Sequence, residues 1–309
     1  MKKQSGISLG RKFIGLIIFF SLFFNLTSLW PRPNDWLREE LTWRAQREKE
    51  ILSPESWLTI VGLFWLHPGK NSIGGSNFDD IKLLDPHLPA KLGDFILTEN
   101  KVTFINAPPF LIKLNGRPIQ RKTLVDDTSG KPDILSLNNF RFWIIRRGQL
   151  IGLRLRDLNS PALKNFKGLD YFPPQKTYIV QGKYLPFSSP RKMIVPNRIG
   201  TTTEMMSLGK VKFYLQNQSL ELIAFQAYPE AKSLFIIFAD QTNGEETYAG
   251  GRFLFAQRLS SKEVILNFNR AINPPCAYTP YATCPLSPRE NYLPLRVEAG
   301  EKRYPGSAH

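Results

Sequence analysis

From residue 66 onward the chain is a succession of short apolar or alternating runs, each closed by turn residues after eight to twelve positions. The runs include DFILTE, KVTFIN, RFWIIRRGQLIGLRLRD, KTYIVQGKY, KVKFYLQNQSLELIAFQAY, SLFIIFAD and EVILNFN. They are too short for helices. Their period-two patterning is that of strands with one face in a core, so the chain is predicted to be all-β and mainly antiparallel. FRFWIIRRG and LIGLRLRD mirror each other around Arg147, Gly148 and Gln149 and predict a hairpin; a second is predicted to turn at Asn217 to Ser219. With 309 residues there is room for two cores, and no long-period self-similarity suggests a solenoid or propeller. The polar stretch DDTSGKPD, residues 126–133, is taken as the boundary, dividing a sandwich over 53–132 from a C-terminal β-barrel or sandwich over 133–309.

The N-terminal fifty residues are different. Lys2, Lys3, Arg11 and Lys12 precede an uncharged apolar run from Phe13 to Trp30, which Pro31 ends. As a helix that run is about 27 Å long, close to the ~30 Å of a bilayer core. Cations before the run and none inside it predict a signal anchor over residues 1–30. A cleaved signal peptide is the competing reading, disfavoured by the lack of a small-x-small cleavage site and of a lipobox cysteine. A bacterial inner-membrane protein with one span and its folded part on the periplasmic side follows. Next, residues 31–52 predict an amphipathic helix capped by Asn34 or Asp35, with Leu37, Leu41 and Ala45 along its apolar face.

The chain carries a net charge of +15, and removing the four N-terminal cations leaves +11. The remaining cations are scattered, so a solvated basic surface is expected rather than a nucleic-acid partner. GISLG at 6–10 fits Gly-x-Ser-x-Gly but precedes the apolar run, with no strand and helix to form a nucleophile elbow. Phosphate-loop, dinucleotide and His-Glu-x-x-His signatures are missing, and with three histidines no metal and no organic cofactor is expected.

Residues 62–116, with a glycine turn, an Ile-Gly pair, DIKL and a closing LNG, resemble a forkhead-associated β-sandwich. The resemblance implies the scaffold. That family binds phosphothreonine through an arginine where this chain has Gly75, and of its other site residues only the Asn115-Gly116 turn is kept, so the activity is not carried over. Residues from about Trp36 to Tyr304 more closely resemble the bacterial domain-of-unknown-function family 1684, on WLTIVGLFWL, GLRLRD, DQTNGEETYAGGRFL, FNRAINPPCAYTPYATCPLSPREN and AGEKRY. One departure is Asn267, where the family commonly has an aspartate. The family name assigns no chemistry.

Polar groups concentrate in the later motifs. Asp240 ends a strand, and Glu245, Glu246, Tyr248 and Arg252 follow before the next. Loops at strand ends are where a rigid scaffold presents polar groups. Two carboxylates would serve as acid and base, and Arg252 would clamp an anion. The structural alternative has Asp240 capping the turn and a glutamate pairing Arg252. Cys276 and Cys284 admit a zinc site, a nucleophile or a disulfide; in an exported chain a disulfide is expected, stiffened by Pro274, Pro275 and Pro285. Asn269, Arg270, Asn273, Glu290 and Glu301 would then form a fixed wall facing Glu246 and Arg252. The expected function is a membrane-tethered envelope protein binding a small polar or anionic ligand, or another envelope component, in a polar pocket of the C-terminal domain. A cofactor-independent hydrolase using paired carboxylates is the alternative.

Overall fold

The computed structural model describes residues 35–109, 111–226 and 233–306. The anchor expected over 1–30 lies outside them, and among the described residues no helix is long and apolar enough to cross a membrane. The chain is mainly antiparallel β, as its patterning implies, with one substantial helix, α1 (Asp35–Ile51).

The first half is a two-sheet sandwich. One sheet has five strands between Gly69 and Thr123; the other has six, including β1 (Ile60–Trp65), β2 (Phe140–Arg147) and β3 (Leu150–Asp157). Alternate residues of the two sheets share one core, with Phe95 and Phe104 of the first against Phe142 and Leu153 of the second. The predicted hairpin is β2–β3, paired from Phe140↔Asp157 to Arg147↔Leu150 and turned by Gly148 at φ +58°. The boundary expected at 126–133 falls inside this sandwich and is corrected. β3 pairs with β1 some ninety residues earlier, from Ile60↔Arg156 to Trp65↔Gly152, so the chain leaves the sandwich only after Asp157. The stretch looked like a linker because it is polar, but its carboxylates are bonded: Asp126 to Arg146 at 3.0 Å and Asp127 to Arg147 at 2.7 Å.

The second half is a closed six-stranded antiparallel barrel of β4 (Ile179–Pro196), β5 (Thr202–Leu215), β6 (Gln218–Gln226), β7 (Ser233–Asp240), β8 (Arg252–Arg258) and β9 (Glu263–Asn267). Each pairs with the next, and β9 returns to β4 from Ile179↔Asn267 to Lys183↔Glu263. The β5–β6 turn has both Gln216 and Asn217 at positive φ, as a two-residue hairpin turn requires. After the barrel the chain lays an extended segment into its core: Leu293, Leu295, Val297 and Ala299 are buried, while the intervening side chains lie outside.

A buried ion pair holds that segment. Arg252 and Asp240 are both 0% exposed and meet at 2.7 Å. Arg252 also donates from Nη2 to the Val297 carbonyl at 2.9 Å and from Nη1 to the Ala299 carbonyl, and Asp240 Oδ1 accepts from the Val297 amide at 3.2 Å. Asn291 does similar work one strand away, donating to the Ile223 and Ile237 carbonyls and accepting from the Ile223 amide at 2.7 Å, which joins β6 to β7.

α1 corrects the expected apolar face. Leu41 is 52% exposed, whereas Glu40 is 2% exposed. The helix docks by charge: Glu40 pairs with Arg270 at 2.8 Å and accepts from Asn267 at 2.7 Å, Arg47 pairs with Glu301 at 2.9 Å, and Arg44 donates to the Phe172 carbonyl at 2.9 Å. Asn267 suits this better than an aspartate, since its amide donates to the Glu40 carboxylate.

Removing one charge of the barrel pair strands the other in the core. Asp240→Asn and Arg252→Met should each lower the unfolding free energy by about 3–5 kcal/mol, measured by urea denaturation. The double variant Asp240→Leu with Arg252→Met should recover a large part of the loss; a double variant as unstable as the sum of the singles would show that the backbone bonds, not the charge balance, dominate.

Candidate functional site

Of the ten residues picked out by the late motifs, Asp240 and Arg252 bind each other, as do Asn273 and Glu301; the other six do not bond to one another. Asp240 holds Arg252 and also accepts from the Thr242 amide and hydroxyl at 2.8 and 2.7 Å. Glu301 is 0% exposed and takes the Arg47 guanidinium, the Tyr278 hydroxyl at 2.9 Å and the Asn273 amide at 2.6 Å. Asn273 donates its side-chain amide to the Lys302 carbonyl at 2.7 Å. Asn269 bonds both backbone groups of Gln175 at 2.9 Å, as a strand neighbour would. Arg270 is held by Glu40. Glu245 and Glu246 lie outside, where they and Glu298 surround Arg296; Glu290 is exposed elsewhere. The carboxylates near Arg296 raise its pKa. Asp240, Arg252, Asn273 and Glu301 are therefore joints of the fold.

The expected disulfide is also corrected. Cys276 and Cys284 are two buried free thiols, with the Cys276 amide donating to Cys284 Sγ at 3.3 Å. The expectation rested on compartment, not on geometry. The loop is already stiff: a short 3-10 turn follows Pro274, and the Thr279 hydroxyl donates to the Ile60 carbonyl at 2.9 Å, which ties the loop to the sandwich. Burial pushes the Cys284 thiol pKa up, while a hydrogen bond from Cys284 holds Cys276 down, so Cys276 is the more acidic of the two. Tyr248, buried against Cys276, has its phenol pKa raised by burial and by that sulfur.

Where this loop meets the sandwich there is a cleft of about 720 Å³. Its sandwich wall is Trp57, the β2–β3 turn and Arg154 of β3; its other wall is the start of β5, Phe253, Pro275 and residues 283–285. Of the candidate site residues singled out from sequence only Cys284 reaches this cleft, with Pro275 and Pro285 of the same loop and Arg147 and Gly148 of the predicted hairpin turn.

Three arginines line it, and they differ. Arg146 is paired with Asp126, and Arg147 spans the two halves, bonding Asp127 at 2.7 Å and the Thr283 hydroxyl at 2.8 Å. Arg154 is 4% exposed, and its Nε and Nη2 are buried with no hydrogen-bond partner. It lies over the face of Trp57, with Cζ 5.5 Å from the ring centroid, and the Asp127 carboxylate also favours its charge. Burial, and then repulsion from Arg147, brings its pKa down to about 10, so it is still a cation at neutral pH. Sequence reasoning missed this residue because GLRLRD alternates: Leu153 and Leu155 face the core, and Arg154 sits on the face expected to be in water.

A wider hollow of about 840 Å³ on the outside of the barrel includes Lys183, Lys212 and Lys262. All three are exposed and keep their hydration. The Arg154 cleft is therefore the better-formed site. Among the described residues no three His, Cys, Asp or Glu side chains gather as metal ligands.

Comparison with known proteins places these features. No curated protein matches the chain. The solution structure of an uncharacterized protein from gene locus rrnAC0354 of Haloarcula marismortui is 34% identical over 45% of this chain and 78% of that one, with a TM-score of 0.39. The FhaA FHA domain, solved in complex with the intracellular domain of Rv3910, is 15% identical over 30% of this chain and 97% of its own, with a TM-score of 0.22. A domain solved in work on phosphothreonine-dependent FHA interactions matches with the same identity and score over 92% of its length. The family described as "Protein of unknown function (DUF1684)" matches residues 164–302, the barrel with its closing segment and cysteine loop.

Proposed function

We propose that this chain is a ligand-binding protein of the bacterial cell envelope, tethered through residues 13–30, which holds an anionic small molecule in the cleft around Arg154. The observation that carries this reading is the guanidinium itself. A buried cation whose Nε and Nη2 meet no acceptor is destabilising by several kcal/mol, whereas the other buried arginine, Arg252, has Asp240 and two carbonyls. An anion entering from the cleft supplies the missing partner.

Hydrolysis by paired carboxylates has less support. Asp240 and Glu301 are fully hydrogen-bonded in the core, and Glu245 and Glu246 are exposed around Arg296, so none faces the cleft as a base. The tether rests on the 18-residue apolar run and the cations before it.

Arg154→Met should raise the stability of the unliganded protein by about 1–3 kcal/mol, read from urea unfolding, because it removes an unpaired buried charge while keeping the side-chain volume. A loss of stability instead would mean that the guanidinium has a structural partner, and the reading would fall. The tether has its own test. The full chain should stay with bacterial membranes through an alkaline carbonate wash, and deletion of residues 13–30 should abolish that retention; a full chain released by the wash would refute it.

A further inference from the structure

The cleft specifies more than negative charge. We infer that its ligand is a small organic monocarboxylate with an apolar body, whose carboxylate is taken side-on by Arg154; this rests on the reading of the cleft as an anion site.

The number of charges comes from pairing. The charged residues lining the cleft are Arg146, Arg147, Arg154 and Glu204. Arg146 is neutralised by Asp126, Arg147 by Asp127 and Glu204 by Lys192 at 2.7 Å. One positive charge is left over, which balances a monoanion. A phosphomonoester dianion would bring a second negative charge into a largely desolvated place without a cation to meet it.

The geometry comes from the orphaned atoms. Nε and Nη2 lie along one edge of a planar guanidinium, and their hydrogens run parallel. That edge matches the two oxygens of a carboxylate in a bidentate pair. Neither nitrogen has a protein acceptor to give up, and because both are buried, Trp57 or the 283–285 loop must shift for a carboxylate to reach that edge.

The body comes from the remaining lining. Trp57, Phe253, Pro275 and Pro285 offer flat apolar faces, and Thr202 and Thr203 add hydroxyls at the barrel side. Thr283 already accepts from Arg147, which leaves its hydroxyl hydrogen free to donate. The volume lies in the range of small-molecule sites.

Benzoate and phenyl phosphate are matched probes, a planar monoanion and a tetrahedral dianion on the same ring. Ligand-observed NMR on the full chain in detergent should show benzoate bound more tightly than phenyl phosphate. Arg154→Lys keeps the charge but loses the fork, and should weaken benzoate at least about tenfold, as should Arg154→Met. Thermal midpoints at or above that of the parent chain would show that both variants are folded; a Lys variant that melts early leaves the Met variant to decide. Tighter binding of phenyl phosphate, or benzoate binding undiminished in the variants, overturns the carboxylate inference while leaving an anion site in place. Binding of neither anion at millimolar concentration overturns both.

Discussion

The ion pair between Asp240 and Arg252 is the constraint on which the rest of this structure rests. It lies where β7 ends and β8 begins, and its free hydrogen-bonding capacity goes to the backbone at Val297 and Ala299. The segment it fixes fills part of the barrel core and delivers Glu301 to its place. Glu301 then organises Arg47 of α1, the Tyr278 hydroxyl and the Asn273 amide, which positions the loop that carries both cysteines. The far end of that loop is a wall of the cleft. A chain of bonded polar groups thus runs from the barrel to the site, and each link has its partners satisfied apart from single orphaned atoms such as Arg252 Nε and Asn273 Oδ1.

Seen this way, the two buried arginines have opposite meanings. Arg252 gives a polar core feature its specificity: the pair fits one register of the closing segment and no other, since a shift of one residue would remove both carbonyls and the amide it engages. Arg154 has no such hydrogen bonds at Nε and Nη2, and its charge is favoured by the Trp57 face and by Asp127. The difference is not visible in burial, which is nearly the same for both. It appears only when acceptors are traced atom by atom.

Much of the architecture was legible in the sequence because its causes are local. Alternation and turn chemistry mark the β2–β3 and β5–β6 hairpins, and the strand SLFIIFAD ends at Asp240 as its polar successor implies. What was not legible has non-local causes. The pairing of β1 with β3 across ninety residues moved the sandwich boundary, and a helix with leucines on one face docked instead through Glu40, Arg44 and Arg47, because the surface it meets offers Arg270, Glu301 and the Phe172 carbonyl. Two pairs of the motif residues meet, Asp240 with Arg252 and Asn273 with Glu301, but spacing cannot tell a side chain facing a ligand from one facing another side chain. Asp240 and Glu301 are of the second kind. Arg154 was missed for the converse reason: strand alternation put it in water, whereas the fold buries it in a cleft shared with Trp57 and residues 283–285, distant in sequence.

The placement of the cleft has a thermodynamic consequence. One wall belongs to the sandwich and the other to the barrel and its loop, joined across the site by the Arg147–Thr283 bond and by Thr279 to Ile60. An anion that binds Arg154 removes the desolvation penalty of the folded state and has no equivalent partner in the unfolded chain, where the guanidinium is hydrated. On the proposed reading, ligand binding and folding would be linked through a single side chain, and the stabilisation would rise with the logarithm of ligand concentration above the dissociation constant. Because the ligand would touch both walls, that stabilisation also falls on the junction between the two halves. The Asp240–Arg252 and Glu301–Arg47 pairs fix the walls without Arg154, so the cleft would be formed before any ligand enters it.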